Sequence, residues 1–130
     1  GRVKDIFKTS KGKYIEPGVL ETNFDSLTFF QQMCIVGMGL DQPLLLAVPT
    51  PEVQKNKDFV RLKLTDILEK VNSDLDGYKK IKKIVFVKDE WTPENGLVTP
   101  TLKIKRSKID NKFSDYYNSW YNSTENVIWE

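Results

Sequence analysis

Histidine is absent from the 130 residues of this chain, and cysteine occurs once, at Cys34. A zinc site, a Cys–His nucleophile, a Ser–His–Asp triad and a disulfide framework therefore cannot form within the chain. These absences exclude much of the standard enzyme repertoire. Cys34 lies in an apolar run at 33–36, which predicts a buried, unreactive thiol in a protein of a reducing compartment.

Long apolar runs and a strong charge of one sign are also missing. No run approaches the roughly 18 to 20 apolar residues that cross a bilayer, and 20 Lys and Arg against 18 Asp and Glu leave a formal net charge of +2. So small a charge does not indicate nucleic-acid binding. The length suits one domain with its own core. Because the chain starts at Gly1 without a signal or transit peptide, we expect that it begins inside a longer protein.

The first part of the chain is predicted to contain a hairpin, a helix and two strands. Apolar pairs flank the polar stretch Thr9–Gly12, which predicts a β-hairpin over 3–16 with a basic tip. Apolar residues at near-helical spacing behind a proline predict a helix over about 17–28. Two apolar runs at 32–38 and 43–49, joined by a tight turn, predict neighbouring strands that are buried on both faces.

The second part is predicted to add two helices and one strand. A broad apolar stripe predicts a long helix from about 52 to 75 that covers one face of the sheet. A strand follows at 81–87, then a loop at 91–96, and aromatic residues at helical spacing predict a last helix over about 107–122. The mixed order predicts a single small α+β domain with an N-terminal β-hairpin and a mixed sheet of about three strands covered by helices.

Two stretches combine basic residues with glycine or proline, namely residues 1–17 and 94–106. Arginine binds phosphate as a bidentate fork and lysine offers a compact charge, so both stretches could hold anions. The alternative from charge alone is that these residues are solvated surface cations.

The same two stretches carry a resemblance to a known family. Residues 1–17 resemble the hinge-and-loop motif of the adenylate-forming enzymes, and residues 94–106 resemble the C-terminal lysine motif of their long-chain acyl-CoA synthetase branch. The resemblance extends from Gly1 to about Tyr121 in the same order and separation. It implies that residues 1–130 are the mobile C-terminal domain of a fatty acyl-CoA synthetase, with a hinge at 1–5 and with the N-terminal domain for ATP and fatty acid absent.

The resemblance also assigns a catalytic residue. In that family a carboxylate attacks the α-phosphate of ATP to give acyl-adenylate and pyrophosphate, and after domain rotation the thiol of coenzyme A displaces AMP. Lys103 matches the family's adenylation lysine, which would bridge the carboxylate and the phosphate oxygens. Leu102 stands where many adenylate-forming enzymes have glycine.

Other site residues follow from the first motif. Lys4 matches the hinge position, whose backbone torsions absorb the rotation. Arg2 matches the arginine that contacts the ribose and phosphate of the nucleotide, and Gly12 matches the loop glycine near the pantetheine tunnel. Three further cations on the hairpin could meet the phosphates of coenzyme A, although solvated cations are an equal alternative: Lys8, Lys11 and Lys13.

The resemblance implies that ATP, Mg²⁺ and coenzyme A are required, bound mainly by or with the absent N-terminal domain. No metal ligands are expected in this chain. The implied partners are that domain, the fatty acid and coenzyme A, and the isolated fragment should be inactive. We expect a cytoplasmic protein, with peripheral membrane contact of the full-length protein left open.

Two other functions stay open at this point. A small basic α+β module could bind nucleic acid or anionic lipid, and an adenylate-forming ligase could act on another carboxylic acid. A solvated face is the simpler interpretation of the lysine cluster Lys79, Lys80, Lys82, Lys83 and Lys88. Core packing is the simpler interpretation of the aromatic group Tyr116, Tyr117, Trp120 and Tyr121.

Overall fold

The computed structural model describes residues 5–130, so the four residues 1–4 lie outside the described part. The elements in chain order are β1 (Phe7–Lys8), β2 (Tyr14–Ile15), α1 (Pro17–Glu21), β3 (Phe30–Val36), β4 (Leu44–Pro49), α2 (Pro51–Lys55), α3 (Lys57–Ser73), β5 (Lys83–Phe86), α4 (Arg106–Phe113), α5 (Tyr117–Tyr121) and β6 (Val127–Trp129). The predicted α+β class with an N-terminal hairpin is confirmed.

A mixed four-stranded sheet forms the centre of the domain in the order β3-β4-β5-β6. Strands β3 and β4 run antiparallel, as the tight turn between them requires, whereas β4–β5 and β5–β6 are parallel. The fourth strand, β6, is one more than the sequence predicts. Its three residues are too few to show a period of their own, and they become a strand because the edge of β5 offers them a template.

Both faces of the sheet are covered, which explains why its strands read as continuous apolar runs. Along β4, Leu45 and Ala47 face one cluster with the hairpin, α1, α2 and α3. Leu44, Leu46 and Val48 face the other cluster, which contains α4, α5 and the loop before α4. The predicted two-sided burial is therefore confirmed for 34–37 and 43–48, whereas Met38 is 61% exposed.

The helices are shorter and more interrupted than predicted. The helix predicted over 52–75 breaks at Asn56, which has φ −134° and ψ 44°. The apolar stripe runs through the break, and periodicity alone cannot locate it because short polar side chains stabilise non-helical backbone. The helix predicted over 107–122 is interrupted by a 3₁₀ turn at Ser114–Tyr116, while its stripe continues. The helix predicted over 17–28 ends in a 3₁₀ turn at Thr22–Phe24.

None of the helices in the described residues is long and apolar enough to cross a membrane.

Candidate functional site

Lys103 lies at the end of a compact turn. The backbone N–H of Thr99 donates to the carbonyl of Lys103 at 2.8 Å, and the N–H of Leu102 donates to the carbonyl of Thr99 at 2.8 Å. The hydroxyl of Thr99 accepts the N–H of Lys103 at 3.0 Å. An antiparallel bridge between Val98 and Ile104 closes the base of the turn. The Thr99–Lys103 segment is therefore an ordered turn that presents an exposed lysine.

Leu102 has φ +67° and is the only residue other than glycine with a positive φ within residues 5–130. This left-handed conformation is the one that glycine adopts without strain. A glycine at position 102 would adopt this conformation more readily than leucine does. The Leu102 side chain is 64% exposed and packs little.

An open cleft of about 920 Å³ surrounds Lys103. Lys105 and Lys108 line it with Lys103, and all three are exposed. In the described part of the chain, no carboxylate forms an ion pair with these lysines. The acidic groups of the cleft are Asp5, Glu21 and Asp110. Glu21 and Asp110 are already engaged, the first by Arg106 and the second by the hydroxyl of Tyr117 at 2.7 Å. The cleft can therefore accept an anion beside Lys103.

The loop of the hairpin lines a second groove. Gly12 has φ +78°, and a Cβ added there would meet no heavy atom within 4 Å. Gly12 lines a groove that it shares with Lys13, Tyr14, Val19, Tyr78 and Lys79. The cleft at Lys103 and the groove at Gly12 share no lining residue.

The three hairpin lysines are exposed, as a role in phosphate binding requires. The ammonium of Lys8 lies 5.2 Å from the centroid of the Tyr14 ring, and that of Lys13 lies 5.8 Å from the centroid of Tyr78. Lys11 lies at the tip. All three ammonium groups can therefore be reached by an anion from solvent.

The hairpin is docked on the turn between β3 and β4. The N–H of Ser10 donates to the carbonyl of Leu40, and the N–H of Gly39 donates to the carbonyl of Lys8, both at 3.0 Å. The hydroxyl of Ser10 also donates to the carboxylate of Asp41. These bonds hold the hairpin at a defined place on the sheet.

The lysine cluster is not one solvated face. Lys83 is only 4% exposed, and its ammonium donates to the carbonyl of Ser123 at 2.7 Å. Burial, together with the charge of Lys82, lowers the pKa of Lys83. The solvated interpretation is therefore wrong for Lys83, because the residue lies on a central strand that is covered on both faces. Lys88 is exposed as predicted.

Arg106 is not a free anion-binding cation either. Its Nη1 donates to the carboxylate of Glu21 at 2.9 Å and to the carbonyl of Ile35 at 2.7 Å. Burial works to lower the pKa of Arg106, but the neighbouring Cys34 and Glu21 outweigh it and raise that pKa. The sequence shows no sign of this pair, because Glu21 and Arg106 are 85 residues apart.

The remaining expectations concern buried groups. Cys34 is fully buried, and burial raises the pKa of its thiol, so the predicted inert cysteine is confirmed. Tyr117 and Trp120 are core residues, and Tyr116 stacks on Trp120 with ring centroids 5.6 Å apart. Core packing is therefore confirmed for Tyr117 and Trp120, whereas it is wrong for Tyr116, which is 53% exposed. Within residues 5–130, no group of three or more acidic or cysteine side chains is arranged to hold a metal ion. The predicted sites at Arg2 and Lys4 lie outside the described residues.

Comparison with known proteins identifies the family. The family model named AMP-binding enzyme C-terminal domain matches residues 4–125. Fatty acyl-CoA synthetase B of Dictyostelium discoideum is 28% identical over 95% of this chain and 21% of its own length. Long chain acyl-CoA synthetase 6, peroxisomal, of Arabidopsis thaliana is 31% identical over 92% of this chain and 20% of its own length.

A solved structure shares the fold. The adenylation domain of the carboxylic acid reductase from Segniliparus rugosus, determined in complex with AMP and a co-purified carboxylic acid, superposes with a TM-score of 0.74. It is 26% identical, and the match covers 92% of this chain and 20% of that chain. The fold of the described residues is therefore shared with this adenylation domain. The chain belongs to the AMP-binding enzyme C-terminal domain family, and it spans about a fifth of the length of the curated relatives it matches.

Proposed function

We propose that residues 1–130 are the mobile C-terminal domain of an AMP-forming long-chain fatty acid–CoA ligase. The observation that carries this proposal is the placement of Lys103 on an ordered turn beside a cleft, apart from the surface that carries Gly12. Two separate surfaces suit a domain that presents one of them in each half-reaction. The names of the relatives, which are fatty acyl-CoA synthetases, favour a fatty acid as the substrate.

In the first half-reaction, Lys103 would lie between the fatty carboxylate and the α-phosphate of ATP. Its ammonium would offset the negative charge that both reactants bring together, and so lower the barrier to attack. Lys105 and Lys108 line the same cleft and add positive potential. We assign the acyl pocket and the carboxylates that hold Mg²⁺ to the N-terminal domain, while Arg2 would contact the nucleotide.

In the second half-reaction, rotation about Lys4 would turn the hairpin toward the same centre. The open space at Gly12 allows the pantetheine arm of coenzyme A to pass close to the backbone. Lys8, Lys11 and Lys13 would lie near its phosphates.

Two other proposals are less well supported. A basic module for nucleic acid or anionic lipid would lose Lys83 and Arg106 as surface cations, because both are held in internal contacts. A ligase for another carboxylic acid would use the same Lys103, so the acid must be identified on the full-length protein.

We also propose a cytoplasmic location with peripheral membrane contact, which fractionation of the full-length protein would test.

The direct test is Lys103→Ala in the full-length protein. We expect fatty-acid-dependent ATP–pyrophosphate exchange to fall roughly a hundredfold, on the order of 3 kcal/mol of lost transition-state stabilisation. Conversion of a supplied acyl-adenylate to acyl-CoA should survive, because Lys103 faces away from that reaction after rotation.

Lys108→Ala is the matched control for this test, since it removes a second exposed cation from the same cleft. It should leave exchange within a fewfold of the wild type. Near wild-type exchange in Lys103→Ala would contradict the assignment of Lys103. A similar loss in both variants would mean that Lys103 contributes only positive charge to the cleft and has no specific catalytic role.

A further inference from the structure

An ion pair binds the backbone of one edge strand of the sheet. Strand β3 is an edge strand, so some of its backbone groups point away from β4 and need partners elsewhere. At Ile35, the N–H donates to the carboxylate of Glu21 at 2.9 Å, and the carbonyl accepts Nη1 of Arg106 at 2.7 Å. Glu21 and Arg106 also bind each other at 2.9 Å. One residue of β3 is thus tied to two charged side chains.

The three groups come from three elements. Glu21 ends α1, Ile35 lies in β3, and Arg106 begins α4. The side chains of Arg106 and Glu21 are only 10% and 19% exposed, so the pair is largely shielded from solvent. Loss of either partner would leave the other charge buried without its counter-charge. The start of α4 is therefore fixed to the edge of the sheet.

This attachment lies three residues after Lys103. The turn that carries Lys103 is closed at its base by the Val98–Ile104 bridge and by the N–H of Lys105, which donates to the carbonyl of Leu97 at 2.9 Å. Arg106 is the next residue after Lys105 and begins α4. Glu21, Lys103 and Arg106 all line the same cleft. A shift of Arg106 would therefore be transmitted to Lys103 over a short, hydrogen-bonded segment.

We propose that Arg106, paired with Glu21, is a positioning residue that sets Lys103 for the adenylation half-reaction. The proposal rests on the proposed function, since it needs Lys103 to act in adenylation. Arg106 itself touches no reactant: its role is to hold the lysine turn against Ile35. A lysine at 106 can pair with Glu21, but its shorter side chain ends in a tetrahedral ammonium that cannot occupy the place of Nη1 between Glu21 and Ile35, so it should restore the function only in part.

The test uses Arg106→Gln, Arg106→Lys and Glu21→Gln in the full-length protein. We expect Arg106→Gln to lower ATP–pyrophosphate exchange at least about tenfold, with conversion of a supplied acyl-adenylate kept within about twofold. Glu21→Gln should likewise lower exchange and leave conversion of the acyl-adenylate unchanged. The exchange rate of Arg106→Lys should lie between those of Arg106→Gln and the wild type. If a thermal melt shows that Arg106→Gln is not folded, the test depends on whether Glu21→Gln and Arg106→Lys lower exchange while keeping conversion of the acyl-adenylate.

A double variant separates positioning from a general structural loss. Because Arg106 acts through Lys103, adding Arg106→Gln to Lys103→Ala should cost less than about a further twofold in exchange. If the Arg106→Gln loss instead adds in full to that of Lys103→Ala, the proposal is overturned.

Asn72→Ala is the matched control. The Asn72 side chain binds both backbone groups of Ile81, accepting its N–H at 2.8 Å and donating to its carbonyl at 2.9 Å, and it does not line the cleft. The Asn72→Ala variant should lower the rates of both half-reactions equally or leave both unchanged. If Arg106→Gln also affects both half-reactions equally, the positioning role is overturned. If Lys103→Ala lowers exchange but the Arg106 and Glu21 variants do not, only the positioning role is overturned. Unchanged exchange in Lys103→Ala overturns the proposed function and the positioning role with it.

Discussion

At the residue scale, the backbone of Leu102 is the feature most open to experiment. A leucine held at φ +67° carries a strain of about 1 kcal/mol that glycine would not. Its side chain is mostly exposed and contributes little packing in return. The conformation of this residue, more than its side chain, therefore determines how Lys103 is presented.

A pair of substitutions tests this view in the full-length protein. Leu102→Gly relieves the strain while making the unfolded chain more flexible, so we expect stability within about 1 kcal/mol of the wild type and exchange within about threefold. Leu102→Val places a β-branched residue at the same φ, and we expect it to lower stability by about 1 to 2 kcal/mol and exchange more than Leu102→Gly does. Thermal melts compare the stability of the two variants with that of the wild type, and exchange assays compare their activity. A greater loss in Leu102→Gly would mean that the side chain itself is needed.

The sequence predicts exposed site residues better than buried charged ones. Lys103, Gly12 and the hairpin lysines lie on the surface as a binding role requires. Lys83 and Arg106 read as surface cations, but each is buried by a contact with a residue at least 40 positions away. Charge patterns along a chain carry no information on such partners. The motif at 94–106 includes Arg106 but carries no sign of Glu21.

At the element scale, the hairpin should serve the second half-reaction alone. Gly12→Ala adds a methyl group at φ +78°, where no neighbour lies within 4 Å in the domain itself. We expect thioester formation from a supplied acyl-adenylate to fall about tenfold or more, because the methyl group meets coenzyme A, while exchange stays near wild type. Rates of the two half-reactions measured side by side give the result.

Gly96→Ala is the control for backbone strain in that experiment. Gly96 has φ +79° and equally open surroundings, but it lies far along the chain from the hairpin. If both alanine variants lower thioester formation equally, the loss comes from strain, and the hairpin loses its assigned role.

The strands were easier to predict than the helix boundaries. The runs at 32–38 and 43–49 differ from β3 and β4 by at most two residues at either end, because continuous apolar runs and a tight turn define them locally. The breaks at Asn56 and at Ser114–Tyr116 leave the apolar stripe intact and so are invisible to periodicity. Strand β6 needs the edge of β5 before it can form.

At the scale of the whole molecule, the isolated domain should fold but not catalyse. Two apolar clusters cover both faces of the sheet, so the core does not depend on another domain. We expect residues 1–130 to unfold in one cooperative thermal transition and to show no fatty-acid-dependent exchange. Circular dichroism and the exchange assay check both points. Exchange by the fragment alone would contradict the assignment of the ATP and acyl sites to the N-terminal domain.

The ion pair on β3 has one more consequence, for self-association. An uncovered edge strand is a template on which a second copy of the same chain can add a strand. At Ile35 both backbone groups are already occupied by Glu21 and Arg106, and a docking strand would have to displace a buried charge pair to reach them. In the proposed rotation between two positions, the domain would therefore expose an edge strand that does not readily accept a strand from a second copy.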